Sequence, residues 1–266
     1  MAQLTGLINF EGTLDGITSY TRKGKKGVVR KAGGPGKKQL LTGAAFERTR
    51  ENMTEFAGAV YASKILRLSL SPILHFFADC NLTGRLQGAF RSLMLQGEGA
   101  RGQRSFKPLQ HAEALKVINI NKELHLDSIL RLRPITEANK TRTAVTLSIE
   151  GFNTATDIYT PAGATHLELI HAIAILPAVV YNKSQKKYVR ADGLNQLYQH
   201  TASSELLPVH TDEAINISLS AALTEIQKLH KDSALISVLG IRFYQQVGLK
   251  KFVLESGKTM GIAGVH

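Results

Sequence analysis

The chain has 266 residues, of which 43% are hydrophobic and 20% are charged. This composition is typical of a folded protein rather than a disordered one, and the length suffices for one large domain or two ordinary ones. The formal net charge of +12 is uneven, because residues 1–110 carry 17 Lys/Arg against 7 Asp/Glu, or +10, and residues 111–266 carry 16 against 14, or +2. This asymmetry predicts two modules with different partners, a basic module over 1–110 and a second domain over 111–266.

The N-terminus predicts short strands at Leu4–Glu11 and Gly16–Thr21, joined by a turn at residues 12–15, with a third strand at Val28–Lys31. An isolated pair of short strands is barely stable in water. These strands therefore need a sheet to join, in their own chain or in a neighbour's. The side chains expected to make such assembly contacts are Leu4, Leu7, Ile8, Phe10, Ile17 and Tyr20.

Residues 22–38, which we call the basic arm, contain eight cations and no acidic residue. The cations are Arg22, Lys23, Lys25, Lys26, Arg30, Lys31, Lys37 and Lys38. Five glycines and Pro35 interrupt this segment, so it is not one continuous helix.

The next segment predicts a helical hairpin. Thr42 is a suitable N-cap for a helix that runs to about Leu70, and a second helix is expected from Pro72 to about Gln96. The first helix has an apolar stripe at three- and four-residue steps, formed by Phe46, Met53, Phe56, Ala57, Val60 and Tyr61. In the second helix, Cys80 is expected to be a buried small side chain, and Gly84 and Gly88 either weaken the helix or allow another backbone to approach.

Beyond a glycine-rich linker after Gln96, the periodicity changes to that of strands. The candidate strands are 117–120, 144–149, 166–176, 188–189, 215–219, 234–247 and 251–254, and Ala221–His230 is a candidate short helix. Apolar and polar residues alternate over 145–150 and 215–220, which is the pattern of a half-buried antiparallel sheet. The expected fold class is therefore α+β, with N-terminal β-strands and an αα-hairpin followed by an antiparallel β-sandwich at 111–266.

Several stretches together carry a resemblance to known proteins. They are a GxxxxxGxLxGITSY-like segment at 6–20, FERTRENMTEFAGA at 46–59, RGQR at 101–104, PAGATHLEL at 161–169 and LGIRFYQ at 239–245. With them the chain resembles a family of uncharacterised, mostly Bacteroidota proteins. The resemblance implies an N-terminal hairpin and helix module followed by a β-sandwich, and it brings no activity and no catalytic residues.

Motifs that would indicate an enzyme are weak in this sequence. GEGARG at 97–102 has the letters of a dinucleotide-binding loop but follows a predicted helix and precedes a linker, where a flexible helix end is expected. Gly257-Lys258-Thr259 lacks the first glycine of a phosphate-binding loop. The nine histidines show no metal-binding spacing, and no G-x-S-x-G motif is present. We therefore expect no enzyme activity, no cofactor and no metal.

Two functions remain, together with a weaker third. The first is a self-assembling homo-oligomer or polymer, a subunit of a filament, tube or shell built through N-terminal strand addition and helix-hairpin contacts. The second is nucleic-acid binding, in which the basic arm follows phosphates with little sequence specificity. A carbohydrate-binding sandwich is less favoured because the chain has no Trp.

The single cysteine excludes an intramolecular disulfide. The longest apolar run is too short for a membrane span, and the start of the sequence is unlike a standard signal peptide. Synthesis in the cytoplasm is expected, with release or export by another route left open.

Overall fold

The computed structural model describes residues 2–3, 10–22 and 25–266, and it divides the chain into two compact units, Met1–Arg50 and Glu51–His266. The sequence predicted a boundary near residue 110. That position instead lies inside the second unit, because the helices before it share one hydrophobic core with strands that follow it.

The first unit contains a small antiparallel sheet with the strand order β1-β4-β3-β2. Its strands are β1 (Ala2–Gln3), β2 (Gly12–Leu14), β3 (Ile17–Arg22) and β4 (Lys25–Lys31). Asp15 and Gly16, with φ of 41° and 76°, form the two-residue turn between β2 and β3. Positive φ at both positions suits the twist of a hairpin. The predicted turn at 12–15 was therefore misplaced, since Gly12 pairs with Ser19 in the ladder.

A short helix α1 (Lys37–Thr42) and a helical turn at Ala44–Phe46 follow, and α2 (Glu47–Ser69) begins in the first unit and continues into the second. The predicted cap was wrong. Thr42 ends α1, where its hydroxyl donates to the carbonyl oxygen of Lys38 at 2.9 Å, and the long helix begins at Glu47.

The predicted second helix is broken into α3 (Ser71–Phe77) and α4 (Leu82–Met94). The break is held by the Asp79 carboxylate, which accepts the backbone N–H groups of Asn81 at 2.7 Å and Lys122 at 2.9 Å and pairs with Arg85. Cys80 lies in this break and is exposed, so its predicted burial was wrong. A sequence pattern cannot reveal a contact with Lys122, which lies 43 residues away.

The second unit also contains a helical turn at Pro108–His111, α5 (Ala112–Lys116) and α6 (Leu126–Ile129). The strand predicted at 117–120 is absent from this described region, where Asn119 makes only an isolated bridge to Gly261. Residues 221–230 are not helical, because a strand continues to Ala222 and turns follow it.

Two antiparallel sheets and a hairpin form the rest of the second unit. The smaller sheet has the order β12-β6-β5, from β5 (Ile135–Ala138), β6 (Ala144–Phe152) and β12 (Ile215–Ala222). The larger sheet comprises β7 (His166–Leu176), β10 (Gln199–Ser203), β11 (Leu207–Pro208), β13 (Ala234–Val247), β14 (Lys250–Val253) and β15 (Thr259–Val265). The hairpin is formed by β8 (Val179–Asn182) and β9 (Lys187–Arg190).

The larger sheet is covered on both faces. Leu167 and Leu169 of β7 pack with Leu147 and Leu219 of the smaller sheet, whereas the alternate side chains of β7, such as Ala172, pack with α2, α3 and α4. Burial on both sides explains why β7 and the first part of β13 are almost continuously apolar instead of alternating. The α+β class predicted from the sequence is confirmed, with helices added as a third layer on one sheet.

Candidate functional site

The first unit has little apolar core of its own. Among the described side chains of residues 10–50, Val28 is the one large apolar side chain that is buried. Leu14 and Ile17 are 65% and 46% exposed, and they face each other across the turn between β2 and β3. The register places Val29 on the same side, together with Ser19 and Lys31, and we call the apolar residues of this side, Leu14, Ile17 and Val29, the apolar face. Exposure of these apolar side chains to water is unfavourable. The packing within so small a sheet contributes too little free energy to compensate for it.

The residues predicted to make assembly contacts do not all lie on this face. Ile17 belongs to it, Tyr20 points to the opposite face with Val28, and Phe10 is half-buried. Leu4, Leu7 and Ile8 lie outside the described residues. The sequence analysis did not identify Leu14 as part of this face, because it placed that residue in a turn. Only the exact register of the hairpin would have identified it.

The basic arm is distributed over three elements. Arg22 and Lys25 pair directly across β3 and β4, and Arg30 and Lys31 continue along β4, whereas Lys37 and Lys38 begin α1. The Arg30 guanidinium lies 5.9 Å from the centre of the Tyr20 ring, which is a cation–π distance. Lys26 is also in β4, and Lys23 lies outside the described residues. The described part of the arm therefore lies mainly in β4, an inner strand of the four-stranded sheet, and at the start of α1.

The buried side of helix α2 is largely not the side that the apolar stripe predicted. Its buried side is formed by Gly58, Ala59 and Ala62, together with Ile65 and Leu66, whereas Met53 and Phe56 are exposed. Small residues are needed on the inner side because the Gly58 backbone lies against Tyr188 and Met94, where an added Cβ would come within 2.9 Å of either side chain. Met53 and Phe56 consequently face outward, whereas Ile65 and Leu66, further along the helix, are buried. Met53, Ala57 and Tyr61 line an open groove of about 370 Å³ with residues 186–188 of the β8–β9 hairpin.

Two stretches that carry the family resemblance meet in space. Glu55 of α2 is 2% exposed, and its carboxylate accepts the Gly102 N–H at 2.8 Å and lies 3.3 Å from Nη1 of Arg104. One turn earlier on α2, Glu51 pairs with Arg101 at 3.5 Å. A buried carboxylate is stable only when charges and donors surround it in this way. The RGQR loop therefore anchors the N-terminal half of α2.

The GEGARG segment forms a compact turn, and each of its three glycines is needed for that turn. A Cβ on Gly97 would lie 1.9 Å from the carbonyl oxygen of Ser105, and Gly99 and Gly102 have φ of 122° and 86°. The Gly102 backbone also lies close to Glu51 of α2. The segment follows α4 and precedes the turn at Pro108–His111, so it lacks the strand-to-helix context of a phosphate-binding loop. Its glycines have a structural explanation.

His171 is fully buried between the two sheets. Its Nδ1–H donates to the Leu219 carbonyl oxygen and its Nε2 accepts from the Ser237 hydroxyl, both at 2.9 Å. The carbonyl oxygen fixes Nδ1 as a donor, and Nε2 accepts from the hydroxyl in the neutral ring, the form that burial favours. Burial lowers the pKa of His171 below its ordinary value, although the hydrogen bond to Leu219 opposes the change. The histidine therefore connects the two sheets through hydrogen bonds.

We expect the folded chain to lose stability as the pH falls from 7 to 5. The unfolded His171 takes up a proton near its ordinary pKa of about 6.5, but the folded one does so only at lower pH, so acid favours unfolding. Urea midpoints at pH 7.5, 6.5 and 5.5 would measure this loss. It should be smaller for His171→Gln, whose amide does not titrate. An unchanged pH dependence in that variant would refute the assignment.

Comparisons with protein-family models and with curated proteins gave no match. Among the residues that the structure describes, no cluster of three His, Cys, Asp or Glu side chains is arranged to hold a metal ion. No helix in the described part of the chain is long and apolar enough to cross a membrane.

Proposed function

We propose that this chain is a self-assembling structural subunit, in which the first unit packs on a neighbouring copy. The observation that carries this proposal is the apolar face of the first unit. Leu14 and Ile17 are adjacent and exposed, while the described residues of that unit bury one large apolar side chain, Val28. Covering such a face with another copy removes apolar surface from water and supplies the core that the small sheet lacks.

Helix α2 offers a second surface for assembly. Met53 and Phe56 are exposed on its outer side, beside the groove lined by Ala57 and Tyr61. Apolar side chains in a contiguous exposed patch are typical of protein–protein contacts. A face on the first unit that meets a different surface on the next copy gives a head-to-tail contact. Such contacts propagate into filaments or tubes, or close into rings.

The proposal is tested by the size of the purified protein after nuclease treatment. Light scattering and negative-stain imaging, at low and at high salt, should show ordered particles much larger than 29.0 kDa. Because the contact is apolar, high salt should leave the particles intact. Deletion of residues 1–20 should yield monomers. A monodisperse monomer from the full chain under both conditions would refute the proposal.

The second candidate function is nucleic-acid binding by the basic arm, and one observation favours it. Arg30 and Lys31 are adjacent and exposed in β4, and Lys37 and Lys38 are exposed at the start of α1. Exposed cations that follow one another along the chain are placed to neutralise successive phosphates of a polyanion.

Charge reversal tests this second function. We expect Lys25→Glu, Lys26→Glu, Arg30→Glu and Lys31→Glu together to abolish retention of polynucleotide, because four phosphate-neutralising cations are replaced by four anions. Fluorescence anisotropy with a labelled oligonucleotide at two salt concentrations measures the change. The matched control reverses Lys183, Lys186 and Lys187 of the β8–β9 hairpin, which should have little effect. Equal losses in the two variants would contradict a role specific to the arm.

A further inference from the structure

The larger sheet ends in a hairpin whose side chains are exposed. The last four residues of β13, Tyr244–Val247, pair with Lys250–Val253 of β14, and Gly248 and Leu249 form the turn. Gly248 has a φ of 62° and nothing within 4 Å of an added Cβ, so the turn lies in open space. Every residue from Gln245 to Val253 is exposed. We call Tyr244–Val253 the distal hairpin.

The distal hairpin presents apolar side chains in all directions. Leu249 at the turn is 102% exposed, and Val247 and Phe252 are 60% and 54% exposed. The register places Val247 and Phe252 on one face of the ribbon and Val253 on the other. A contact with a protein surface normally buries one face of a ribbon. Apolar groups on both faces and at the turn instead suit a medium that surrounds the end of the hairpin.

The charges next to these apolar groups are all positive. Lys250 and Lys251 point to opposite faces of the ribbon, and no acidic residue occurs between Tyr244 and Leu254. Glu255, the first acidic residue after the hairpin, is paired with Lys258. Lysines on both sides of an apolar end are placed to meet anionic headgroups while the apolar side chains enter the region beneath them.

We propose that the distal hairpin inserts its turn into the surface of an anionic lipid membrane. Four paired residues extend about 14 Å, at about 3.4 Å per residue, which exceeds the 5–10 Å depth of interfacial insertion. Leu249 and Val247 would enter the upper acyl chains, Lys250 and Lys251 would extend back to the phosphates, and Phe252, further from the turn, would lie at the level of the headgroups. This attachment is peripheral, and it does not depend on the assembly proposed above.

The absence of Trp from the chain makes a direct test possible. Leu249→Trp places a single fluorophore at the turn of the full-length protein. Vesicles of phosphatidylcholine with phosphatidylserine should shift its emission to the blue, and brominated acyl chains should quench it. Pure phosphatidylcholine should give a much weaker change, because the lysines then lack anionic partners. Val117→Trp, at another exposed apolar position, is the matched control and should keep a solvent-exposed emission.

Vesicle flotation of unlabelled variants completes the test. Leu249→Ser with Val247→Ser should lower binding to the anionic vesicles about tenfold or more without altering charge, because two inserted apolar side chains are lost. Flotation that is unaffected by this double variant, with no emission change in Leu249→Trp, would assign lipid binding to other cations such as the basic arm and overturn the proposal. A blue shift that depends on protein concentration and needs no vesicles would also overturn it, because the hairpin would then contact a second copy.

Discussion

Leu14→Asp combined with Ile17→Asp should convert the assembled protein into monomers. Both side chains lie on the apolar face of the first unit, and each buried apolar side chain of this size contributes about 1.5–3 kcal/mol. Two carboxylates placed opposite each other would also have to be desolvated and would repel each other in a contact. Each contact should therefore weaken by more than 3 kcal/mol, or over a hundredfold, by an order-of-magnitude estimate. Light scattering of the nuclease-treated variant measures the result.

Thr13→Asp is the matched control for this double variant. Thr13 is exposed on the opposite face of the same short strand, where its hydroxyl lies 2.9 Å from that of Thr18. A single acidic substitution there alters the charge of β2 but leaves the apolar face intact. Particles should persist in this control. If the control and the double variant dissociate equally, the effect comes from the fold of the sheet, and the apolar face is not the contact.

The sheets of the second unit were largely predictable because their signals are local. Strands β6 and β12 alternate apolar and polar side chains over most of their lengths, and β7 is a long apolar run. Strand β15 was missed because its sequence, TMGIAGV, contains two glycines that weaken any strand pattern. The Gly261 backbone is approached by Leu126, where an added Cβ would come within 3.0 Å of a side-chain atom. A glycine is therefore needed at position 261 because of a contact with Leu126 that the sequence alone does not show.

The candidate sites were less predictable, since they depend on which side of an element faces the core. An apolar stripe over Met53 and Phe56 normally indicates the buried side of a helix. In α2, Tyr188 and Met94 approach the opposite side, and only small residues such as Gly58 fit there. A charged residue such as Glu55 is normally found on the exposed side of a helix, yet Glu55 is buried because Gly102 and Arg104 surround its carboxylate. Both reversals arise from neighbours more than 35 residues away.

We expect Gly97→Ala to destabilise the second unit by about 2–4 kcal/mol, close to the largest effect of a single methyl group. The added Cβ would lie 1.9 Å from the Ser105 carbonyl oxygen and 3.1 Å from that of Met94. Both obstacles are backbone atoms in a turn fixed by the hydrogen bond from Ser105 N–H to the Glu98 carbonyl oxygen at 2.8 Å. Neither can move aside as a side chain would. The free energy of unfolding in urea measures the effect.

The same substitution at Gly88 provides a control with the opposite sign. Gly88 lies within α4, and an added Cβ would meet nothing within 4 Å. Alanine is a better helix former than glycine by about 1 kcal/mol, so Gly88→Ala should stabilise the protein by up to that amount. Opposite signs would show that the first glycine of GEGARG is required by close backbone packing. Stabilisation by both alanines would mean that the turn is open, and the segment would again be a candidate flexible loop.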